Sequence, residues 1–580
     1  SVRTKESPFG NFADFAKQLP YDTYKDENGV YYPTMKSWGR GSESNRVNPM
    51  YEPSLHNFDK GASEEFINNL SINWNIIDGL LLKGQLSLTK TMNHSKRFYD
   101  PLSKQRANLN QLTLDDKNSS NNLSLGTLYL NNDDSFSLDM NATLSYNKAL
   151  NGHMINALAG VSVKEDKSKA NNATYIGFPS GTLSSPQYAK EMLQKTGFSE
   201  STKRLVGFLL SVNYSYQDIY LLDASVRFDG SSTFGSDQRF APFWSLGVAW
   251  NVHNESFWHA HEKNALKLRA SVGSTGTTNF SSTQALTTYL YDFSREYNGN
   301  FGVSLAGYGN SSLKWQTTLS YNVGVDFTFL HGLVVFNGDF YIKNTRSLLL
   351  PVTVAPSTGF IDYVENIGKL RNTGVEARLR FNLIQDAVKD LRWNVTLSAF
   401  HNQSKITQLS NQLEYANDDR ANQGTVVYRQ FEAGRSQTAL MVVRSGGIDP
   451  ATGNEIYIKR NGEMTFEYNH NDKIECGDMK PKIEGNVNTN LNWKGFNLYM
   501  LFKYQYGGKI YNATLASKVE GANPLKNADK RVLYDRWKEP GDHAKFRRID
   551  DTSAPYQTTR LVFDNNLLAL QSVSLSYELP

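Results

Sequence analysis

The sequence predicts an all-β fold, a transmembrane antiparallel β-barrel with long loops at one end. Three observations predict it. Apolar and polar residues alternate over stretches of roughly 11–13 residues, longer than the about 5–6 typical of soluble strands. Aromatic residues close many of the apolar rows. The connections between stretches are alternately short and long. At about 3.4 Å per residue and a tilt near 45°, eleven residues climb about 25 Å, the height of the apolar band of a membrane barrel. A row facing lipid needs no partner sheet, whereas a soluble sandwich must cover each apolar face.

Composition agrees. The chain has 580 residues, 12% aromatic, with 31 Tyr and 31 Phe against only 17 Pro. Such usage favours strands over helices. The net charge of +4 gives no electrostatic reason to expect nucleic acid as a partner. A single cysteine, Cys476, excludes an internal disulfide and any cysteine-based zinc site. No run of 18 apolar residues is long enough for a membrane-spanning helix. The opening "SVRTKESPFGNF" has no apolar core of a signal peptide, so an exported protein would carry its leader upstream.

Taken in order, strands are expected near 67–74 and 80–91, joined by the short "NIIDG". The next pair, near 135–147 and 151–164, is justified by the row Phe136, Leu138, Met140, Ala142, Leu144 and Tyr146 against Ser137, Asp139, Asn141, Thr143 and Ser145. Strands near 204–217 and 218–228 follow, with Phe208, Leu210 and Val212 on one face and Tyr220, Leu222, Val226 and Phe228 on the next. Further strands fall near 240–251, 264–275, 315–329, 332–344, 372–384 and 390–404. The last three are near 486–494, 496–510 and 567–579, which makes about fifteen. Long loops separate the short-turn pairs, the longest covering 405–485. Short turns at one rim and long loops at the other are the pattern of a transmembrane barrel. Inside the loops, "SSPQYAKEMLQKTG" (184–197) predicts a short helix from Ser185, Pro186 and Gly197, and 525–541 a second one. "GGIDPATGNEIYIKRNG" (446–462) predicts a hairpin.

No catalytic motif stands in the chain: no G-x-S-x-G, no H-E-x-x-H and no phosphate-binding loop. No catalytic, cofactor-binding or metal-binding residue is assigned. His253, His259 and His261 sit in a polar turn and are expected to be solvated there, and "DPATGNE" lacks calcium-loop spacing.

Several long blocks carry a family resemblance. "LLDASVRFDGSSTFGSDQRFAPFWSLGVAWNV" (221–252), "LKLRASVGSTGTTN" (266–279), "NIGKLRNTGVEARL" (366–379) and "GDMKPKIEGNVNTNLNWKGFNLYMLFKYQYGGKIYN" (477–512) resemble the barrel of SusC-like TonB-dependent transporters. The resemblance implies a 22-strand barrel with an N-terminal plug, in the outer membrane of Bacteroidetes-type bacteria. It implies a SusD-like surface lipoprotein as partner, energy supplied by TonB, and import of oligosaccharides or peptides. It further implies a dimer of such pairs. A passive porin-like channel and a barrel-based surface adhesin are the alternatives. Within that frame, residues 1–66 form an incomplete N-terminal barrel or loop region and 67–580 the barrel with its loops. The plug, its TonB-contacting segment and the last strands are not recognised in the chain.

The faces opposite the apolar rows then become candidate lumen. Asp223, Arg227, Asp339, Lys343, Glu376, Arg378 and Arg380 lie there. A charge facing lipid would cost about 2–4 kcal/mol near the midplane, so these are expected to face water, a plug or substrate. Among loop aromatics, Tyr289, Tyr291, Tyr308 and Tyr363 could stack on sugar or peptide, pack loop on loop, or meet a capping partner.

Overall fold

The structure is a computed structural model. It describes residues 2–4, 22–37, 48–103, 126–192, 197–235, 238–259, 263–277, 285–353, 362–409, 431–522, 528–551 and 553–579.

Fifteen long strands form one antiparallel wall among the described residues. They are β1 (Phe58–Ile77), β2 (Leu80–Tyr99), β3 (Gly126–Leu150), β4 (His153–Phe178) and β5 (Gly197–Tyr216). Then come β6 (Tyr220–Ser231), β7 (Phe240–Asn251), β8 (Ala265–Thr277), β9 (Gln316–Phe329) and β10 (Val334–Thr353). The last five are β11 (Asp362–Asp386), β12 (Leu391–Gln408), β13 (Ile483–Trp493), β14 (Phe496–Tyr511) and β15 (Val562–Tyr577). Each pairs with the next in sequence, as in a barrel built from successive hairpins. A short strand, Val2–Thr4, pairs with Lys60–Ala62 of β1. No described register joins β15 to β1, so the barrel is not closed.

The register makes the apolar rows continuous across strands. Leu222 lies opposite Val248, Val248 opposite Ala270, and Ala270 opposite Val323. Val323 lies opposite Phe340, and Phe340 opposite Val375. This row crosses six strands, and Val323 at its centre is 61% exposed. Among the described residues no second sheet covers it. A contiguous apolar belt of this extent on a soluble surface would drive association. On a barrel it is the surface that lipid covers. Trp74, Tyr220, Trp250, Trp393, Trp493 and Tyr577 sit on the same face close to the short turns, as an interfacial girdle requires. Two of them share an acceptor: the Tyr220 hydroxyl and the Trp250 indole donate to Glu255 at 2.7 and 3.0 Å.

The short turns are tight. Asn151 and Gly152 have φ of 50° and 82°, and Lys494 and Gly495 have 47° and 83°. Two successive left-handed residues match the twist of a two-residue hairpin.

The strands extend well past their expected ends toward the long loops. β4 has 26 residues, about 88 Å of strand, far more than a band of about 25 Å needs. Its upper part pairs Lys167, Lys169 and Asn171 with Phe136, Asp134 and Asn132 of β3. The first long strand begins at Phe58 rather than 67.

Both predicted loop helices are corrected. In 184–197 only Pro186–Tyr188 makes a 3-10 turn, Glu191–Met192 pairs as strand with Tyr175–Ile176, and 193–196 lie outside the described residues. In 525–541 only Lys530–Leu533 turns, and 525–527 lie outside the described residues. Asp535 with φ of 54° stops any continuation. In both, the backbone leaves the helical region after one turn, with Ala189 at ψ 143° and Tyr534 at ψ 151°. The hairpin at 446–462 is present: Arg444–Ile448 pairs with Glu455–Ile458. A further hairpin, Thr288–Tyr297 with Asn300–Gly307, stands in the loop after β8.

Candidate functional site

Polar residues gather on the wall face opposite the apolar rows. Alternation alone puts them there, since successive side chains point to opposite faces. Asp223 accepts from the Asn213 amide across the β5–β6 pair. Arg227 bonds Asp229 at 2.5 Å and reaches Ser162 at 3.2 Å. A Cβ on Gly207 would meet Asp229 Oδ1 at 2.4 Å and the Arg227 guanidinium at 2.7 Å. Glycine there leaves the recess in which the arginine lies flat against the wall.

Asp339 belongs to a three-strand network. The Arg269 guanidinium donates to Asp326 at 2.8 and 3.1 Å and to Asp339 at 3.1 Å through two nitrogens. Asn337 adds a bond to Asp326 at 2.8 Å. Gly324 sits between, where a Cβ would come within 2.6 Å of Asp339. Lys343 lies over the Tyr341 ring at 4.5 Å, a cation–π contact. Arg380 bonds Asn382 at 2.9 Å. Glu376 and Arg378 are exposed on the same face. The seven candidate residues therefore share one face, but they form separate groups along it rather than one cluster. Arg269 and Asp326 complete the network around Asp339. Their strand parity was readable from "LKLRASV" and "NVGVDFTF", but their partnership was not.

The loop aromatics fall into two places. Tyr289 and Tyr291 stand on the exposed hairpin opposite Leu305 and Val303. Tyr308 packs edge-on against Tyr363, with centroids 6.1 Å apart, and the Tyr363 hydroxyl bonds Glu365 at 2.9 Å. The second pair is thus loop-on-wall packing. His253 bonds the Leu266 carbonyl at 2.9 Å and His259 the Phe257 carbonyl at 2.6 Å. His261 lies outside the described residues.

The loops after β12 and β14 co-fold into a module that sequence reading missed. Its core joins Leu440, Val442, Tyr511, Ala516 and Leu561, with Cys476 packed against it. Burial pushes the Cys476 thiol up. Above the core lies a buried charge network. Arg560 reaches Glu455 at 2.9 Å and Glu520 at 2.6 and 2.8 Å. Burial alone would lower the Arg560 pKa, but the two carboxylates outweigh it and hold it above the ordinary value. Arg547 donates to Glu520 at 3.2 Å and to Asp551 at 2.5 Å. Arg536 is spent on four carbonyls, those of Val519, Glu520, Arg547 and Arg548, and burial pushes its pKa down. These partners are up to 105 positions apart. The result is an ordered, densely bonded platform at the loop end of the wall, tied to it through β14 and β15.

An antiparallel wall with one apolar and one polar face, carrying an ordered loop module, is the architecture of a membrane β-barrel. The family profile described as "TonB dependent receptor-like, beta-barrel" matches residues 7–457, and the chain belongs to that family. It is 26% identical over 467 residues to TonB-dependent receptor P3 of Formosa agariphila, covering 75% of this chain and 45% of the relative. To TonB-dependent receptor SusC of Bacteroides thetaiotaomicron it is 28% identical over 283 residues, covering 47% and 28%. Among solved structures, "Structure of the RagAB peptide transporter" aligns with a TM-score of 0.79 at 22% identity, covering 96% of this chain and 59% of that one. The chain spans about half the length of the first curated relatives it matches.

Proposed function

We propose that the chain is the barrel wall and loop platform of an outer-membrane transporter that imports oligosaccharides or peptides with energy from TonB. It performs no catalysis. The observation that carries this reading is the family match over 7–457 on a chain whose wall is apolar on one face and charged on the other. In this reading residues 1–66 belong with the N-terminal barrel region, and Asp223, Arg227, Asp339, Lys343, Glu376, Arg378 and Arg380 line the lumen, where a plug or the substrate meets them.

A SusD-like surface lipoprotein is the proposed partner over the loop face, in a dimer of such pairs. The exposed apolar ribbon around Tyr289 and Tyr291 and the ordered module held by Arg560 support it, because ordered loops of this size need a surface to pack on. Uptake measured in cells carrying the complete gene tests the reading. Loss of uptake when TonB is deleted is expected, with a lipoprotein of comparable mass co-purifying in mild detergent. Steady uptake without TonB would instead mark a passive channel.

A further inference from the structure

The interfacial girdle changes character between β6 and β7. Two of its other members meet a hydroxyl and an ammonium: the Trp393 indole donates to Thr489 at 2.9 Å, and Lys494 lies over the Trp493 ring at 6.0 Å. Tyr220 and Trp250 instead hold a carboxylate, both donating to Glu255 Oε1. Its Oε2 makes no hydrogen bond, and Glu255 no ion pair, with any described residue. The two described histidines of the same turn bond carbonyls, His253 that of Leu266 and His259 that of Phe257, rather than this carboxylate. Phe257 is exposed and packs edge-on to Trp250, with centroids 6.5 Å apart. The turn therefore folds back onto the apolar face of the wall and places an uncompensated charge at its rim.

Beside this charge the apolar face is hollow. A groove of about 910 Å³ opens on it, within the about 300–1,000 Å³ of sites that hold small ligands. Its floor is made by the small residues Ala270, Gly338 and Ala377, and its sides by Trp250, Phe336 and Phe340. A Cβ on Gly338 would come within 2.8 Å of the Phe336 ring, so glycine is what lets that ring lie against the wall. The register row Tyr220, Trp250, Leu268, Val325, Gly338 and Ala377 runs along the groove. Tyr220 opens β6 at the short-turn rim, whereas Ala377 lies well inside β11. From β6 to β11 the row covers roughly 24 Å at about 4.8 Å per strand. A slant near 45° turns that into a climb of about 17 Å, close to one leaflet of a core about 30 Å thick.

We propose that the groove and Glu255 form a binding site for one phospholipid with a primary-amine headgroup, of the phosphatidylethanolamine kind, drawn from the leaflet at the short-turn rim. The ammonium donates to Glu255 Oε2, a charge-assisted hydrogen bond. It lies beside the Trp250 and Phe257 rings, where a cation–π contact adds to that bond. One acyl chain follows the row from Trp250 to Ala377. Charge selects the occupant. Glu255 repels an anionic headgroup, and a quaternary ammonium has no N–H to offer it. The hollow is continuous with the face that lipid covers, so a lipid reaches it by lateral diffusion and supplies the countercharge that the turn lacks. The site belongs to the outside of the wall and does not depend on what the transporter carries.

The test uses the complete transporter, purified with its partner and stripped of lipid in detergent. It is titrated with dipalmitoyl phosphatidylethanolamine or with the phosphatidylglycerol of the same chains, and bound lipid is counted by native mass spectrometry. Wild type should take up one phosphatidylethanolamine per barrel with a preference of about ten-fold or more, the worth of one charge-assisted hydrogen bond. Glu255→Gln keeps an acceptor for Tyr220 and Trp250 but loses the charge, and should bring the two lipids near parity. Ala270→Phe with Ala377→Phe fills the floor, keeps the face apolar, and should weaken both lipids. Glycerophosphoethanolamine, the headgroup without chains, should not compete. Equal uptake of the two lipids by wild type overturns the proposal and leaves ordinary annular lipid; this arm decides even where a variant folds poorly. An undiminished preference in Glu255→Gln overturns it as well, as does effective competition by the chainless headgroup. Efficient disulfide formation between two copies through Val323→Cys, in a Cys476→Ser background, would show the face covered by protein and would also overturn it.

Discussion

Asp139 and Leu138 are neighbours in sequence and opposites in environment. Leu138 faces lipid beside Leu88 and Glu165, while Asp139 lies on the wet face across from Ser87 and Lys164. Leu138→Arg should therefore reduce the yield of heat-modifiable barrel, by less than the about 2–4 kcal/mol that an arginine costs at the midplane, because Glu165 stands beside it near the loop end. Asp139→Arg should leave that yield close to wild type. In the loop module, Arg560→Met leaves Glu455 and Glu520 buried with less countercharge. Breaking such a pair costs about 3–5 kcal/mol, so hydrogen exchange at Leu440–Val443 should rise sharply while that of β8–β10 stays unchanged. Cys476 is half-buried with a raised pKa, and only the thiolate is nucleophilic. Its alkylation at pH 8 should be slower than that of a free thiol and should reach the free rate in denaturant.

At the scale of elements, strands were legible where one face is dry and the other wet, because that contrast writes a period of two into the sequence. The span 240–251 coincides with β7 for this reason. Strand ends were not legible. Above Phe136, β3 runs through "LNNDDS" with both faces wet, so the alternation vanishes although the ladder continues. Hydrogen exchange should reveal slow amides through 165–172 of β4; fast exchange there would limit the strand to its membrane part. The turns were legible from residue types, and Gly152→Val should destabilise the β3–β4 hairpin by about 1 kcal/mol or more, since φ of 82° disfavours a branched side chain. The helices at 184–197 and 525–541 failed because Pro, Ser and Gly punctuate loops as well as helices. The polar rows of the candidate site were legible for the same reason as the strands. The Arg269 network and the Glu455–Arg560–Glu520 clamp were not, since they depend on which distant strands and loops meet. Arg269 finds Asp339 across 70 positions, and nothing local encodes that.

The whole molecule is a wall with two chemically opposite faces, and every functional statement depends on which face meets lipid. The most direct test is a cryo-electron microscopy map of the complete protein in lipid nanodiscs. The account predicts acyl-chain density against the row Leu222, Val248, Ala270, Val323, Phe340 and Val375, with Arg269, Asp339 and Asn488 facing an interior shielded from lipid. A second sheet or another protein surface packed along that row, with Arg269 and Asn488 turned outward, would contradict it.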